Sequence, residues 1–283
     1  MGLRNVKKDK ILIENRYLGN TLYFKENLVM GLVIIIFIFG LLIGSFLNVC
    51  IYRIPREESI AYPPSHCTSC SRRIKIYDLM PAVSYILLNG KCRYCKKGIS
   101  IKYPLVELIT GIAFMLIYYE YNISIEFLKF IILASFLIVI GIIDYNTTNV
   151  YLSTTLGGTV IGLAFLLLNY YLNVPIKTYI LGMIIGVSFI ALIILTVGGM
   201  GWGDAEICAL CGIFLGARLT ILMLFLSVII GAVIGVTLII LKKKSRKHYM
   251  PFGPSIAIAT LLCILSGESM IRWYLNIVIG IGR

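Results

Sequence analysis

The chain has 283 residues, 59% of them hydrophobic and only 14% charged, where an ordinary soluble domain carries about 25% charged residues. The apolar residues come in long uncharged runs, which excludes a water-soluble globule and makes this an integral membrane protein. The net charge of +13 would point to nucleic acid in a soluble protein; here the cations gather in loops, where they set membrane orientation, and no nucleic acid is expected as a partner.

Residues 1–27 form a polar N-terminal segment with six Lys and Arg. The run 28–51 contains no charge and exceeds the roughly 20 residues needed to cross a hydrocarbon core. It is too long for the apolar stretch of a secretory signal and follows 27 mostly polar residues, so it reads as an uncleaved first span. The loop 52–102 holds ten Lys and Arg against Glu57, Glu58 and Asp78. Such a basic loop favours the cytoplasm. Further apolar runs cover 104–119, 127–143, 152–172 and 178–197, separated by polar breaks at 118–122, 144–149 and 173–177. The stretch 207–240 is too long for one crossing at about 1.5 Å per residue and divides near Gly216–Arg218, leaving a first piece too short to span alone. A last apolar region covers 254–281. The expected fold is all-α, a polytopic membrane helix bundle of about eight spans, with the bundle proper over 103–283 and one small module, 52–102, outside the bilayer.

Threading these spans from a cytoplasmic 52–102 loop puts the Lys242–Lys247 cluster on the same side, and the loop 118–126, with Glu120 and Glu126 and no cation, on the other. Asp144 and Asp204 then fall at one face. Of the 13 acidic residues, Glu107, Asp144, Asp204, Glu206 and Glu268 lie in or beside apolar runs, where a carboxylate costs at least about 2.5 kcal/mol to insert and is a functional candidate. Asp204 ends a glycine-rich stretch, residues 198–204, whose Gly199, Gly201 and Gly203 would form an active-site loop that lets backbone approach backbone or substrate closely. Two Asp at close range share one proton, and one can activate water while the other serves a carbonyl oxygen. The plainer readings are that Asp144 caps a helix, that Glu107 is a buried structural hydrogen-bonder, that Glu268 is interfacial and that Glu206 faces water or a basic loop. Gly-x-Gly-x-Gly also resembles a dinucleotide loop, but that needs a βαβ context absent here.

Cys67, Cys70, Cys92 and Cys95 form C-x2-C-x21-C-x2-C, a zinc pattern in which four thiolates close a tetrahedral structural site. Two disulfides in an external loop are the alternative. His66 adjoins Cys67 as a bystander, while Cys208 and Cys211, although also C-x2-C, read as small packing residues of an apolar helix, and Cys50 and Cys263 as buried in spans.

Several segments together resemble one family, the type IV prepilin peptidases, which are membrane aspartyl proteases of the Gly-x-Gly-Asp type. GSFLNVCIYRIP at 44–55 is similar to that family's first-span motif; 67–111, from CTSC to ELITG, to its cysteine-rich cytoplasmic loop; Gly201–Asp204 to its Gly-x-Gly-Asp element; and PFGPSIAIA at 251–259 to its C-terminal motif. The resemblance implies cleavage of the short basic leader of type IV prepilins or pseudopilins at the cytoplasmic face of a bacterial membrane, with Asp144 and Asp204 catalytic. It also implies, for many members with the cysteine-rich loop, N-methylation of the new N-terminus from S-adenosylmethionine; no independent methyl-donor motif is present. Two departures stand out: the family's Pro after its first Asp is missing from the stretch after Asp144, and Glu206 stands where a Lys is common, a third carboxylate that should raise the pair's proton affinity. Preflagellin-type or presenilin-like proteases, a proton-coupled transporter using the two Asp as a relay, and a zinc-stabilised assembly scaffold are the rival readings.

Overall fold

The computed structural model describes residues 29–196, 198, 200–240 and 251–280. The N-terminal segment 1–27, Gly199 and the Lys242–Lys247 cluster lie outside the described residues.

The described chain is helical throughout its apolar runs. Helix α1 (Val29–Arg56) ends in a 3-10 turn, Ile54–Arg56; the cysteine-rich loop contains a 3-10 turn, Ile76–Leu79, and the five-residue α2 (Val83–Leu87). There follow α3 (Lys102–Tyr121), α4 (Ile125–Thr147), α5 (Leu152–Tyr171), α6 (Lys177–Thr196), α7 (Trp202–Leu215), α8 (Ala217–Ile240) and α9 (Gly253–Gly280). Among the described residues seven of these, all but α2 and α7, are long and apolar enough to cross a membrane. Helix α7, with 14 residues, spans about 21 Å. It is the short piece that the sequence places before Gly216, where a left-handed φ of 77° turns the chain into α8.

Helix α7 sits at the centre. Ile207, Cys208, Leu210 and Cys211 are fully buried, and the helix packs against α4, α5, α6, α8 and α9. Lipid tails are as apolar as leucine, so interhelical contact in a membrane is won by close packing of small residues. The α6–α7 seam follows this rule: a methyl group on Gly186 would lie 2.5 Å from the Cys208 carbonyl oxygen, and Gly212 rests against the Gly182 carbonyl. Cys208 and Cys211 therefore serve in packing, as their apolar setting suggests, and Cys211 accepts a hydrogen bond from Thr260 of α9 at 3.3 Å. Cys50 and Cys263 are buried too. Glu268 lies near Arg218 at 3.9 Å, exposed like its partner. Lys129, the buried cation of α4, pairs with Glu126 and lies over the rings of Phe130 and Tyr179.

Candidate active site

The C-terminal end of α4 and the N-terminal ends of α7 and α9 meet at the face that carries the cysteine-rich loop; Lys102 at the start of α3 donates to Asn146 near the end of α4 at 3.2 Å. Helix α4 is closed by Thr148 in the left-handed region, whose N–H reaches the Asp144 carbonyl at 2.7 Å. The Asp144 side chain turns inward, 3% exposed, and its Oδ2 accepts the Gly253 N–H at 2.8 Å. Gly253 opens α9, and a methyl group there would lie 2.7 Å from that same oxygen. Only a glycine lets the first turn of α9 come so near.

Asp204 occupies the third helical position of α7 and is 4% exposed. Its Oδ2 accepts the N–H of Gly201, the extended N-cap residue, at 3.2 Å. An acidic side chain in the first turn suits the positive end of a helix. The helices that carry the two carboxylates pack against one another and against α9. Each receives one bond to a backbone N–H of an α-helix entrance, and an ionised carboxylate has about four acceptor positions, so both keep lone pairs for a water or a substrate proton.

The glycines of 198–204 divide. Gly198 and Gly201 are outside the helix, but Gly203, expected in a loop, is helical. The reason is local: Asp204 reaches back to Gly201 and closes the first turn, so α7 begins at Trp202. Gly203 is glycine because Val150, in the α4–α5 connection, occupies the place of a side chain; a methyl group would sit 2.6 Å from the Val150 Cβ. Glu206 turns away toward α5, where Thr155 donates to its Oε2 at 2.6 Å. Glu107 accepts the Ala82 N–H at 2.8 Å and is the structural hydrogen-bonder of the plainer reading. Gly253, Val150 and Thr155 escape the reading of carboxylates along the chain. Only the PFGPSIAIA motif flagged the first of them, without a role.

The second cluster lies in the loop. The Sγ atoms of Cys67, Cys70, Cys92 and Cys95 are all within 4.8 Å of one another. Cys67 and Cys95 are 3.8 Å apart, which matches the edge of about 3.8 Å in a tetrahedron of zinc–sulfur bonds near 2.3 Å. Two knuckles of one design present them. Ser71 and Lys96, each just past the second Cys of its pair, take left-handed φ values of 55° and 59°. Their N–H groups return to Cys67 and Cys92 at 2.8 and 3.0 Å, and isolated bridges His66–Arg73 and Lys91–Gly98 close the two turns. The Ser69 N–H holds the Cys67 thiol down at about 6, while Cys95, against the Lys97 N–H, is pushed up to about 11 by burial and the neighbouring sulfurs, so of these two only Cys67 favours thiolate before an ion binds. Arg93 clamps Asp78 with Nε and Nη2 at 2.6–3.1 Å and fixes the Ile76–Leu79 turn to the second knuckle. The His66 ring is exposed and bonds to Pro64, away from the ligand set. The four sulfurs can hold a metal ion.

Comparison with known proteins agrees with this pair of features. Residues 38–121 match the bacterial Peptidase A24 N-terminal domain, and residues 131–236 match the type IV leader peptidase family. Among curated relatives, a protein of Pseudomonas putida is 32% identical over 82% of this chain and 90% of its own length, one of Bacillus subtilis (strain 168) is 32% identical over 87% and 99%, and one of Neisseria gonorrhoeae is 33% identical over 84% and 93%. All three are named prepilin leader peptidase/N-methyltransferase. No solved structure matches. With both domains matched in order and similarity running nearly the full length of these relatives, the chain belongs to the type IV prepilin leader peptidase family.

Proposed function

We propose that this protein is a multi-pass aspartyl endopeptidase of the bacterial cytoplasmic membrane that removes the leader peptide of type IV prepilins or pseudopilins at the cytoplasmic face, with Asp144 and Asp204 as its catalytic pair. The observation that carries the reading is the convergence of two buried carboxylates at the ends of α4 and α7, beside the entrance of α9. Family membership supplies the substrate class.

Two carboxylates brought together in a low dielectric hold one proton between them. The ionised member takes a proton from water as the water oxygen attacks the scissile carbonyl carbon. The protonated member donates to the carbonyl oxygen. The tetrahedral intermediate then collapses, the C–N bond breaks, and the leaving amine takes the proton that water gave up. The entrances of α7 and α9, with their positive partial charge, support the negative charge that one member of the pair carries throughout. Gly201 and the neighbouring non-helical residues give an extended substrate strand room to approach.

Cys67, Cys70, Cys92 and Cys95 are assigned a structural Zn2+. Four thiolates fill its shell and leave no position for a water, so the ion would shape the loop and take no part in hydrolysis. Exposed Arg72, Arg73, Lys96 and Lys97 offset the −2 charge of such a centre. In this reading the chain divides into the polar segment 1–27, a first span at 28–51, the zinc loop at 52–102 and the bundle at 103–283. The relatives' names carry a second activity, N-methyl transfer, and the same is proposed here for the freed N-terminus. S-adenosylmethionine, the donor implied by the resemblance, would supply an electrophilic methyl group; the sequence carries no methyl-donor motif of its own.

The test is cleavage of a purified type IV prepilin by the purified protein in liposomes, beside Asp144→Asn and Asp204→Asn. Loss of cleavage in both variants, with thermal unfolding unchanged, is the expected result. A variant that cleaves at the wild-type rate removes its Asp from the mechanism.

A further inference from the structure

The cysteine-rich loop reads from its sequence as a module outside the bilayer, yet its middle carries an apolar stripe. Leu79, Met80, Val83, Ile86 and Leu87 are 38%, 53%, 46%, 72% and 76% exposed. Val83, Ile86 and Leu87 share one face of α2 at i, i+3 and i+4, and Leu79 and Met80 are exposed in the turn that leads into it. The other face is occupied: Pro81 is buried, Ser84 donates to the Asp78 carbonyl at 2.7 Å, and the Tyr85 hydroxyl reaches the Ile99 carbonyl at 3.4 Å. A water-facing module of this size does not leave five large apolar side chains exposed within nine residues without a partner.

The depth of this stripe can be read from helix register. Helices α1 and α3 run antiparallel, with Gly40 against Gly111, Gly44 against Glu107, and Asn48 donating to the Tyr103 carbonyl at 3.0 Å. Glu107 lies five residues into α3, about 7.5 Å along the helix from Lys102. Gly44, its partner, lies nine residues before Arg53, about 14 Å from it. The polar boundary is marked by Lys102 on Asn146 and by Arg53, whose guanidinium donates to the Ser59 and Pro63 carbonyls. Ala82 donates its N–H to Glu107 from below this boundary, held at a positive φ of 53° with ψ −42°. The chain between the two knuckles thus dips past the cytoplasmic ends of α1 and α3 and runs beside them.

We infer that residues Leu79–Leu87 form a re-entrant wedge whose exposed apolar stripe lies in the cytoplasmic leaflet of the protein's own membrane, with the zinc module resting on the headgroups above it. The occupant is lipid, and anionic lipid in particular. The stripe is at interfacial depth, both ends of the loop are tied to membrane helices, and Arg73, Lys75, Lys91, Lys96 and Lys97 stand exposed in the same loop. An apolar face buried about 5–10 Å into the headgroup boundary with cations at its rim is the general arrangement of interfacial segments, and each such cation gains from an anionic surface. This assignment concerns the loop alone and stands whether or not the pair of Asp is catalytic.

The experiment uses the full chain in liposomes of phosphatidylethanolamine and phosphatidylglycerol that contain a phosphatidylglycerol with a diazirine near the headgroup end of its acyl chain. After photolysis the labelled residues are located by mass spectrometry. Leu79–Leu87 should be labelled as Leu42 and Phe46 on the exposed face of α1 are labelled, while Cys92–Ser100 should not. The double variant Ile86→Glu, Leu87→Glu should lose label from the wedge and keep it on α1. Absence of label from Leu79–Leu87 in the wild-type protein, with α1 labelled, overturns the assignment. So does displacement of that label by saturating prepilin, which would make the stripe a substrate surface.

Discussion

Gly203→Ala is the smallest change that should disable the proposed site without touching a carboxylate. The added methyl group would lie 2.6 Å from the Val150 Cβ and 2.8 Å from its Cγ2. Carbon atoms prefer 3.5–4.0 Å, so the overlap is about 1 Å. The nearest atom is a Cβ, which no change of rotamer can move, so the backbone of the α4–α5 connection or the entrance of α7 must shift by a similar amount. Overpacking of this kind costs about 1–3 kcal/mol, which the bundle should survive. Asp204 is the next residue, however, and a displacement of about 1 Å at reacting groups lowers rates by about 10²-fold. We expect folded protein with a modestly lower midpoint of thermal unfolding and prepilin kcat/KM reduced by about that factor. Val150→Gly removes the colliding Cβ and should restore part of the activity in the double variant. Val150→Ala keeps that Cβ and should not. Wild-type activity in Gly203→Ala, or equal rescue by alanine and glycine at 150, would refute the steric reasoning.

Glu107→Ala should leave the Ala82 N–H without its acceptor, at a local cost of about 1–3 kcal/mol; faster hydrogen exchange at Ala82 and easier proteolysis within 76–91 are the expected readouts, with Glu107→Gln milder because its amide oxygen can still accept. Equal behaviour of the two variants would mean that the bond carries no weight. Cys92→Ser removes the most buried of the four sulfurs; zinc content by elemental analysis should fall from one ion per chain toward zero, with faster exchange over 65–100 and α3–α9 unaffected. Full retention of zinc would show that the four thiolates are not the ligand set.

The stripe at Leu79–Leu87 illustrates how far the sequence reaches. Its apolar residues are plain in the sequence, but nothing there reveals that Glu107 of α3 pulls Ala82 below the ends of the membrane helices, because hydrogen-bond partners 25 residues apart leave no periodic trace. The same holds for Glu206. Its position two residues after Asp204 suggested a third charge on the pair, and a helix turn with a waiting Thr155 sends it elsewhere. Gly203 looked like loop because glycine runs usually are, whereas the first turn of α7 is closed by the side chain of the residue that follows it.

What the sequence determined by itself is whatever depends on local composition and spacing. Long uncharged runs dictate membrane helices, since backbone polar groups in lipid have no other satisfaction. Gly216 ends a helix too short to cross, and four cysteines in two identical knuckles define a metal-sized cluster. The side on which Asp144 and Asp204 lie also follows, because each crossing reverses direction. Tertiary structure alone decided that these two side chains turn inward, that the entrance of α9 donates the Gly253 N–H to one of them, and that Val150 dictates glycine at 203. Those are contacts between helices whose rotation about their own axes is set by the small-residue seams of the bundle, and a chain that is apolar on nearly every face carries no amphipathic stripe from which that rotation could be read.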